Sequence, residues 1–246
     1  MAHRGGALHP EIPGVENTRH AFAHAVALGY QYLETDVHVT ADGVLLAFHD
    51  QTLDRVTDAT GLLADLDAEQ VSAARIQAEH PVPTMAELLE AFPHSRFNID
   101  LKSMGAATPL ADLVERTASH DRVCVGSFSQ RRLDRFRAAS RGRVATSASP
   151  GEVALFLTCP SGGAARVLTR GRVAALQVPH RRGPVPVVTA ALVRRAHAAR
   201  AHVHVWTVDE PVEMEELLDL GVDGLITDRT DVLKDVLVRR GQWRTP

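Results

Sequence analysis

The chain has 246 residues, 45% of them apolar, enough to bury a large core in one domain or two. Its 27 Lys and Arg nearly balance 30 Asp and Glu, so a net charge of −3 lacks the basic excess of a protein that lives on nucleic acid or anionic lipid. The absence of any apolar run near 18 residues excludes a membrane span, and two cysteines without zinc-finger spacing exclude a disulfide framework.

The opening decapeptide MAHRGGALHP has no apolar h-region and no cleavage site, which implies no secretion signal and a cytoplasmic location. A very short strand at 2–4 opens the series. Residues 31–39 alternate as a strand, and 44–48 follow across the turn Ala41-Asp42-Gly43. Helical spacing sets in at 84–91, with Thr84 as N-cap and Glu87 completing a capping box. From there β-like runs at 96–101, 123–126, 144–146, 174–178, 202–207 and 224–227 are each followed by a helix-like run. The helices fall at 110–118, 130–139, 151–157, 189–199, 211–219 and 231–238. Residues 41–60 read as a hairpin-and-loop insertion, and 161–172, rich in Gly and Arg, as a surface loop. Repeated β-then-α units predict a parallel sheet covered by helices. Eight of them in a chain of this length predict a (β/α)8 TIM barrel, one domain over 1–246, with a small insertion after the second barrel strand. The rival, a doubly wound open sheet, usually announces a glycine-rich phosphate loop. Neither G-x-G-x-x-G nor G-x-x-x-x-G-K occurs.

Barrel strands are buried on both faces and should read as continuous apolar runs. Several do not. Glu34 and Asp36 share one face of their strand, and Asn98, Asp100 and Lys102 share one face of theirs. His3 and Arg4 follow a strand of almost no length, and His49-Asp50 ends the run 44–48. The C-terminal ends of barrel strands build active sites, and these groups sit at such ends. Three carboxylates at one mouth need a counter-charge, and oxygen donors suit a hard cation such as Mg²⁺ or Ca²⁺. His3 and His49 are candidates for acid and base near neutral pH. Arg4 and Lys102 add positive charge for an anionic substrate, and the set points to phosphoryl chemistry. Lys102 has a second reading, as a structural lysine that neutralises the carboxylates.

The motifs His3-Arg4-Gly5, Glu16-Asn17-Thr18, Glu34-Thr35-Asp36-Val37, Thr40-Ala41-Asp42-Gly43, His49-Asp50, Leu53-Asp54-Arg55-Val56-Thr57, Pro83-Thr84, Asn98-Ile99-Asp100-Leu101-Lys102, Trp206-Thr207-Val208 and Gly221-Val222-Asp223-Gly224-Leu225-Ile226-Thr227-Asp228 run in order along nearly the whole chain. In this the sequence resembles the glycerophosphodiester phosphodiesterase family. The resemblance implies a (β/α)8 barrel that hydrolyses glycerophosphodiesters to glycerol 3-phosphate and an alcohol. It implies a Mg²⁺ or Ca²⁺ held by Glu34, Asp36 and Asp100, and acid–base catalysis by His3 and His49. It puts Arg4 and Lys102 on the phosphate, Asn17 on the active-site loop or substrate, and Trp206 on the glycerol side of the pocket. Two features depart from the family pattern. The third carboxylate is Asp100 where Glu is usual, and the stretch before Glu16 is longer, carrying Pro10-Glu11-Ile12-Pro13-Gly14.

Gln177, at the end of its strand, is a pocket-lining candidate by position. His38 shares a face with Glu34 and Asp36. His202 and His204 read as barrel-interior or bottom-face structure. His180, Arg181 and Arg182 read as a solvated loop, and Arg131, Arg132, Arg135 and Arg137 as a solvated helix face. The expected partner is a small-molecule glycerophosphodiester, with no nucleic acid and no stable membrane insertion. A phospholipase-D-type enzyme for lysophospholipids is the alternative. It would want an apolar ramp, for which 12–15 is the only short candidate. A non-catalytic phosphodiester-binding barrel would be expected to lose a histidine or a carboxylate, and none is missing.

Overall fold

The computed structural model describes residues 1–243. In chain order its strands and α-helices are β1 (Ala2–His3), α1 (Arg19–Ala27), β2 (Tyr32–Val39), β3 (Leu45–Ala47), α2 (Ala68–Ser72), β4 (Arg75–Ile76), β5 (His80–Pro81), α3 (Met85–Ala91), β6 (Arg96–Leu101), α4 (Ala107–Arg116), β7 (Val123–Gly126), α5 (Gln130–Ala139), β8 (Ala145–Ser147), α6 (Pro150–Thr158), α7 (Gly162–Leu168), β9 (Val173–Pro179), β10 (Arg181–Arg182), β11 (Val185–Pro186), α8 (Ala190–Ala198), β12 (His202–Trp206), α9 (Pro211–Asp219), β13 (Gly224–Leu225) and α10 (Thr230–Arg239).

Strands β1, β2, β6, β7, β8, β9, β12 and β13 pair side by side in that order. The ring closes where Ala2 bridges Thr227 in parallel. There His3 N donates to Thr227 O at 2.9 Å and Thr227 N to Met1 O at 3.2 Å. This is the (β/α)8 architecture that the alternating units predict. Alternation sorts the side chains of each strand. In β2 and β6, Leu33, Val37, Phe97, Ile99 and Leu101 join the core shared with the helices. Glu34, Asp36, Asn98 and Asp100 turn to the barrel interior and its mouth. The capping box at Thr84 and Glu87 is present as the spacing predicts. Among the described residues no helix is long and apolar enough to cross a membrane.

Four features differ from the sequence reading. Helix α1 was not predicted; Thr18 caps it by accepting from Ala21 N at 3.1 Å, and Phe22 and Ala25 pack into the core. The expected loop 161–172 contains helix α7, capped by Ser161. Gly162 lets α7 lie close to α8, since a Cβ there would come within 2.2 Å of Arg195 O. The insertion after β2 runs on to β5, with a core of its own built from Leu46, Phe48, Leu53, Leu63, Val71, Ala74, Ile76 and Val82. Finally, Arg137 is buried rather than solvated. Its guanidinium meets both Glu152 carboxylate oxygens, at 2.8 and 3.1 Å, and donates to Thr146 Oγ1 at 2.9 Å.

Candidate active site

At the C-terminal mouth of the barrel lies a cavity of about 700 Å³, lined among others by His3, Arg4, Glu34, Asp36, His49, Asp100 and Lys102. Register explains the gathering. His3 sits opposite Glu34 across β1 and β2, and Asp36 opposite Asp100 across β2 and β6. His49 arrives from the insertion. Strand β3 pairs antiparallel with β2, and Phe48 N donates to Asp36 O at 3.0 Å, which brings the next residue to the mouth.

Each histidine is oriented by an aspartate. His3 Nδ1 lies 2.7 Å from Asp228 Oδ1, and His49 Nδ1 lies 2.5 Å from Asp50 Oδ1. An ionised carboxylate can only accept, so each Nδ1 carries the proton and each Nε2 is left for chemistry. Burial opposes the His3 imidazolium, but Glu34 and the bond to Asp228 outweigh it and raise its pKa. Burial also works against the Asp50 carboxylate, yet Arg55 and His49 hold it below its usual range. Asp50 and Asp228 stood in quoted motifs, but nothing in their spacing marked them as partners of the histidines.

The three carboxylates differ in electrostatics. Burial beside Asp36 pushes Glu34 up to about 7, as expected of a carboxylate short of positive charge. Its Oε2 accepts from Arg4 N at 3.2 Å and lies 3.7 Å from His3 Nε2. Burial opposes ionised Asp36 as well, but Lys102 and Arg4 win and hold it low. Lys102 Nζ sits 2.9 Å from Asp36 and 2.7 Å from Asp100, the geometry of its neutralising role. An all-oxygen donor set with one undercompensated member fits a hard cation such as Mg²⁺ or Ca²⁺. The ammonium of Lys102 occupies the space between two of these groups. Among the described residues, the three His, Cys, Asp or Glu side chains whose ligand atoms come within 4.8 Å of one another are instead His9, Glu11 and His24.

Arg4 is held with φ +51°, followed by Gly5 at +89°, where a Cβ would come within 2.5 Å of that of Ala21. Its Nη1 donates to Glu16 at 3.1 Å. Its buried Nε lies 3.2 Å from Asp36 Oδ2 without a directed hydrogen bond among the described residues. Asn17, also left-handed at φ +58°, supports the loop. Its N donates to Arg4 O at 2.8 Å, its Nδ2 to Asp36 at 3.3 Å, and its Oδ1 accepts from Thr35 at 2.8 Å. Gln177 lines the cavity while its Nε2 donates to Asn98 Oδ1 at 2.6 Å across the interior. His38 Nε2 turns to His49 O at 3.1 Å, so it steadies the histidine's backbone. His204 is interior, 3.4 Å from Gln177, and His202 is exposed beside Asp223. His180 is tied to Glu213 at 2.6 Å, and Arg182 reaches the cavity rim.

The far wall extends beyond Trp206, its one member that the sequence marks. Trp206 packs edge-on against Phe128, ring centroids 5.6 Å apart, and Val153, Leu157 and Val187 continue the apolar surface. Phe128 is 63% exposed. Ile12 and Val15, the one ramp candidate in the sequence, are instead buried against Ala21. Phe128, Val153, Leu157 and Val187 come from separate loops and from helix α6, so no local pattern announces them.

The model of the glycerophosphoryl diester phosphodiesterase family matches residues 3–232. A Mycobacterium tuberculosis protein named "Probable glycerophosphodiester phosphodiesterase 2" is 44% identical over 245 residues, covering 99% of this chain and 92% of its own. A glycerophosphodiester phosphodiesterase of Caldanaerobacter subterraneus is 30% identical over 255 residues, covering 98% of each. An Oleispira antarctica phosphodiesterase, solved in complex with its product sn-glycerol-3-phosphate, has a similar fold. The TM-score is 0.79 at 20% identity, over 96% of this chain and 95% of that one.

Proposed function

Because the chain belongs to the glycerophosphoryl diester phosphodiesterase family and is a phosphodiester hydrolase, we propose that it splits glycerophosphodiesters into glycerol 3-phosphate and an alcohol, with residues 1–246 as one catalytic domain. The observation that carries this reading is the pair His3 and His49, on one cavity, each with Nδ1 held by an aspartate. One imidazole takes the proton of the attacking oxygen, from water directly, or from the neighbouring glycerol hydroxyl, in which case a cyclic phosphate forms first and water then opens it to glycerol 3-phosphate. As the new P–O bond forms, the bond to the alcohol breaks, and the other imidazole returns a proton to the departing oxygen. Arg4, with a buried Nε to offer, and Lys102 grip the phosphate. Glu34, Asp36 and Asp100 are the residues that would hold a Mg²⁺ or Ca²⁺, which supplies charge neutralisation to the phosphate when bound. Trp206 takes the glycerol side, and Gln177 lines the pocket.

The apolar wall supports a second reading, in which the glycerol side carries an acyl chain, as in a lysophospholipid, and the head-group alcohol is still the group that leaves. One experiment separates the two. Release of phosphate-bearing products is measured from glycerophosphocholine, glycerophosphoethanolamine, glycerophosphoinositol and lysophosphatidylcholine, after EDTA and again with Mg²⁺ or Ca²⁺ restored. We expect glycerol 3-phosphate from the water-soluble diesters, lost with EDTA and regained with one metal. Turnover of lysophosphatidylcholine alone would replace the first reading by the second, and turnover indifferent to EDTA would remove the metal.

A further inference from the structure

The stretch between β1 and α1, together with helix α1, carries a group the reaction does not use. His9, Glu11 and His24 each bring one ligand atom within 4.8 Å of the other two. His9 is buried and His24 lies on α1, their rings 4.3 Å apart and crossed edge to face. Glu11 closes the triangle, its Oε2 2.9 Å from His24 Nε2. His9 Nδ1 accepts from Glu11 N at 3.2 Å, which fixes the ring. The other nitrogen of His24, Nδ1, is buried with no hydrogen-bond partner among the described residues. Leaving a ring nitrogen buried and unpaired is costly, and a metal ion is a partner that a neutral imidazole takes without a proton.

We infer that His9, Glu11 and His24 form a second metal site, for Zn²⁺ or a similar borderline cation, that fastens the β1–α1 loop to helix α1. Two imidazoles, one carboxylate and an open position make a donor set that zinc takes and Mg²⁺ does not favour. Small side-chain shifts bring the three atoms to the roughly 2.0–2.2 Å of zinc bonds. The site is well placed to matter. The fastened loop is anchored by buried Ile12 and Val15, and it goes on to Glu16, which holds Arg4, and Asn17, which holds Asp36. A cation here would stiffen the support of the mouth without touching substrate.

The test uses chelator-stripped full chain with Mg²⁺ saturating, titrated with Zn²⁺ by calorimetry and with Co²⁺ as a visible-absorption probe of nitrogen ligation. Wild type and Asp36→Asn should each take up one Zn²⁺, while His24→Gln and Glu11→Gln lose at least tenfold in affinity and lose the Co²⁺ band. Zn²⁺ should raise the melting midpoint of wild type and leave that of Glu11→Gln unmoved. Glu11 is exposed, so that variant keeps its fold even if His24→Gln does not. Absence of Zn²⁺ uptake in wild type overturns the site. So does uptake that survives in Glu11→Gln but vanishes in Asp36→Asn, which would put the ion in the barrel mouth.

Discussion

Two imidazoles on one cavity become an acid and a base only if each presents the right nitrogen, and here the aspartates decide it. The Asp228 and Asp50 contacts fix Nδ1 as the protonated atom on His3 and His49. Removing either ring, as His3→Ala or His49→Ala, should lower kcat by roughly 10²–10⁴-fold, the ordinary worth of general acid–base help. Circular dichroism and melting should stay close to wild type. Turnover within a few-fold of wild type in either variant would sink the assignment. The histidines and carboxylates were legible in the sequence because each breaks an apolar run at a strand end. Asp50 and Asp228 were present in motifs yet silent, since 225 positions of chain separate His3 from its aspartate. Phe128 and Leu157 gave no signal at all, because an exposed apolar residue in isolation is ordinary.

The insertion links two halves of the mouth through one side chain. Arg55 donates to Glu16 at 2.9 and 2.7 Å, and its Nε donates to Asp50. Glu16 is also the acceptor for Arg4. One guanidinium therefore sets the carboxylate behind His49 and the carboxylate behind Arg4. Arg55→Leu should cut kcat by about 10- to 100-fold, the cost of losing a group that orients a reacting side chain. Stability should change by about 1 kcal/mol or less, since the pair is half exposed. An unchanged kcat, or a loss appearing only in KM, would leave Arg55 as surface decoration. Long periodic elements such as α8 and α9 were legible in the sequence. Helix α7 was not, because Gly162-Gly163 is poor helix sequence and only the packing on α8 rewards it. Helix α1 was missed for a related reason: only Ala21, Phe22 and Ala25 of its residues are buried, too short an apolar face to show a period, and Thr18 alone marked its start.

Stability of the whole molecule should record the uncompensated charge of the mouth. Glu34 titrates near 7 in the fold against an ordinary value of 4.5. Between these values the folded state keeps a proton that the unfolded chain has lost, so this group makes stability fall as pH rises, by a few kcal/mol in all. Buried His204, held down to about 4, contributes the opposite slope, and it cancels when two proteins that both carry it are compared. Metal-free Glu34→Gln should gain on wild type in melting temperature from pH 5 to pH 8. Parallel curves would mean that Glu34 is already neutralised by another group. A last consequence follows from the way the ring is shut. Strand β1 is two residues long, and its partners are β2 on one side and Thr227 on the other. A ribosome delivers β2 long before Thr227, so β1 waits for a distant part of the chain to complete its pairing. The long loop closure this demands is the slow kind of contact. Asp228 follows that junction by one residue, so the contact that holds His3 Nδ1 forms only once this distant pairing is made.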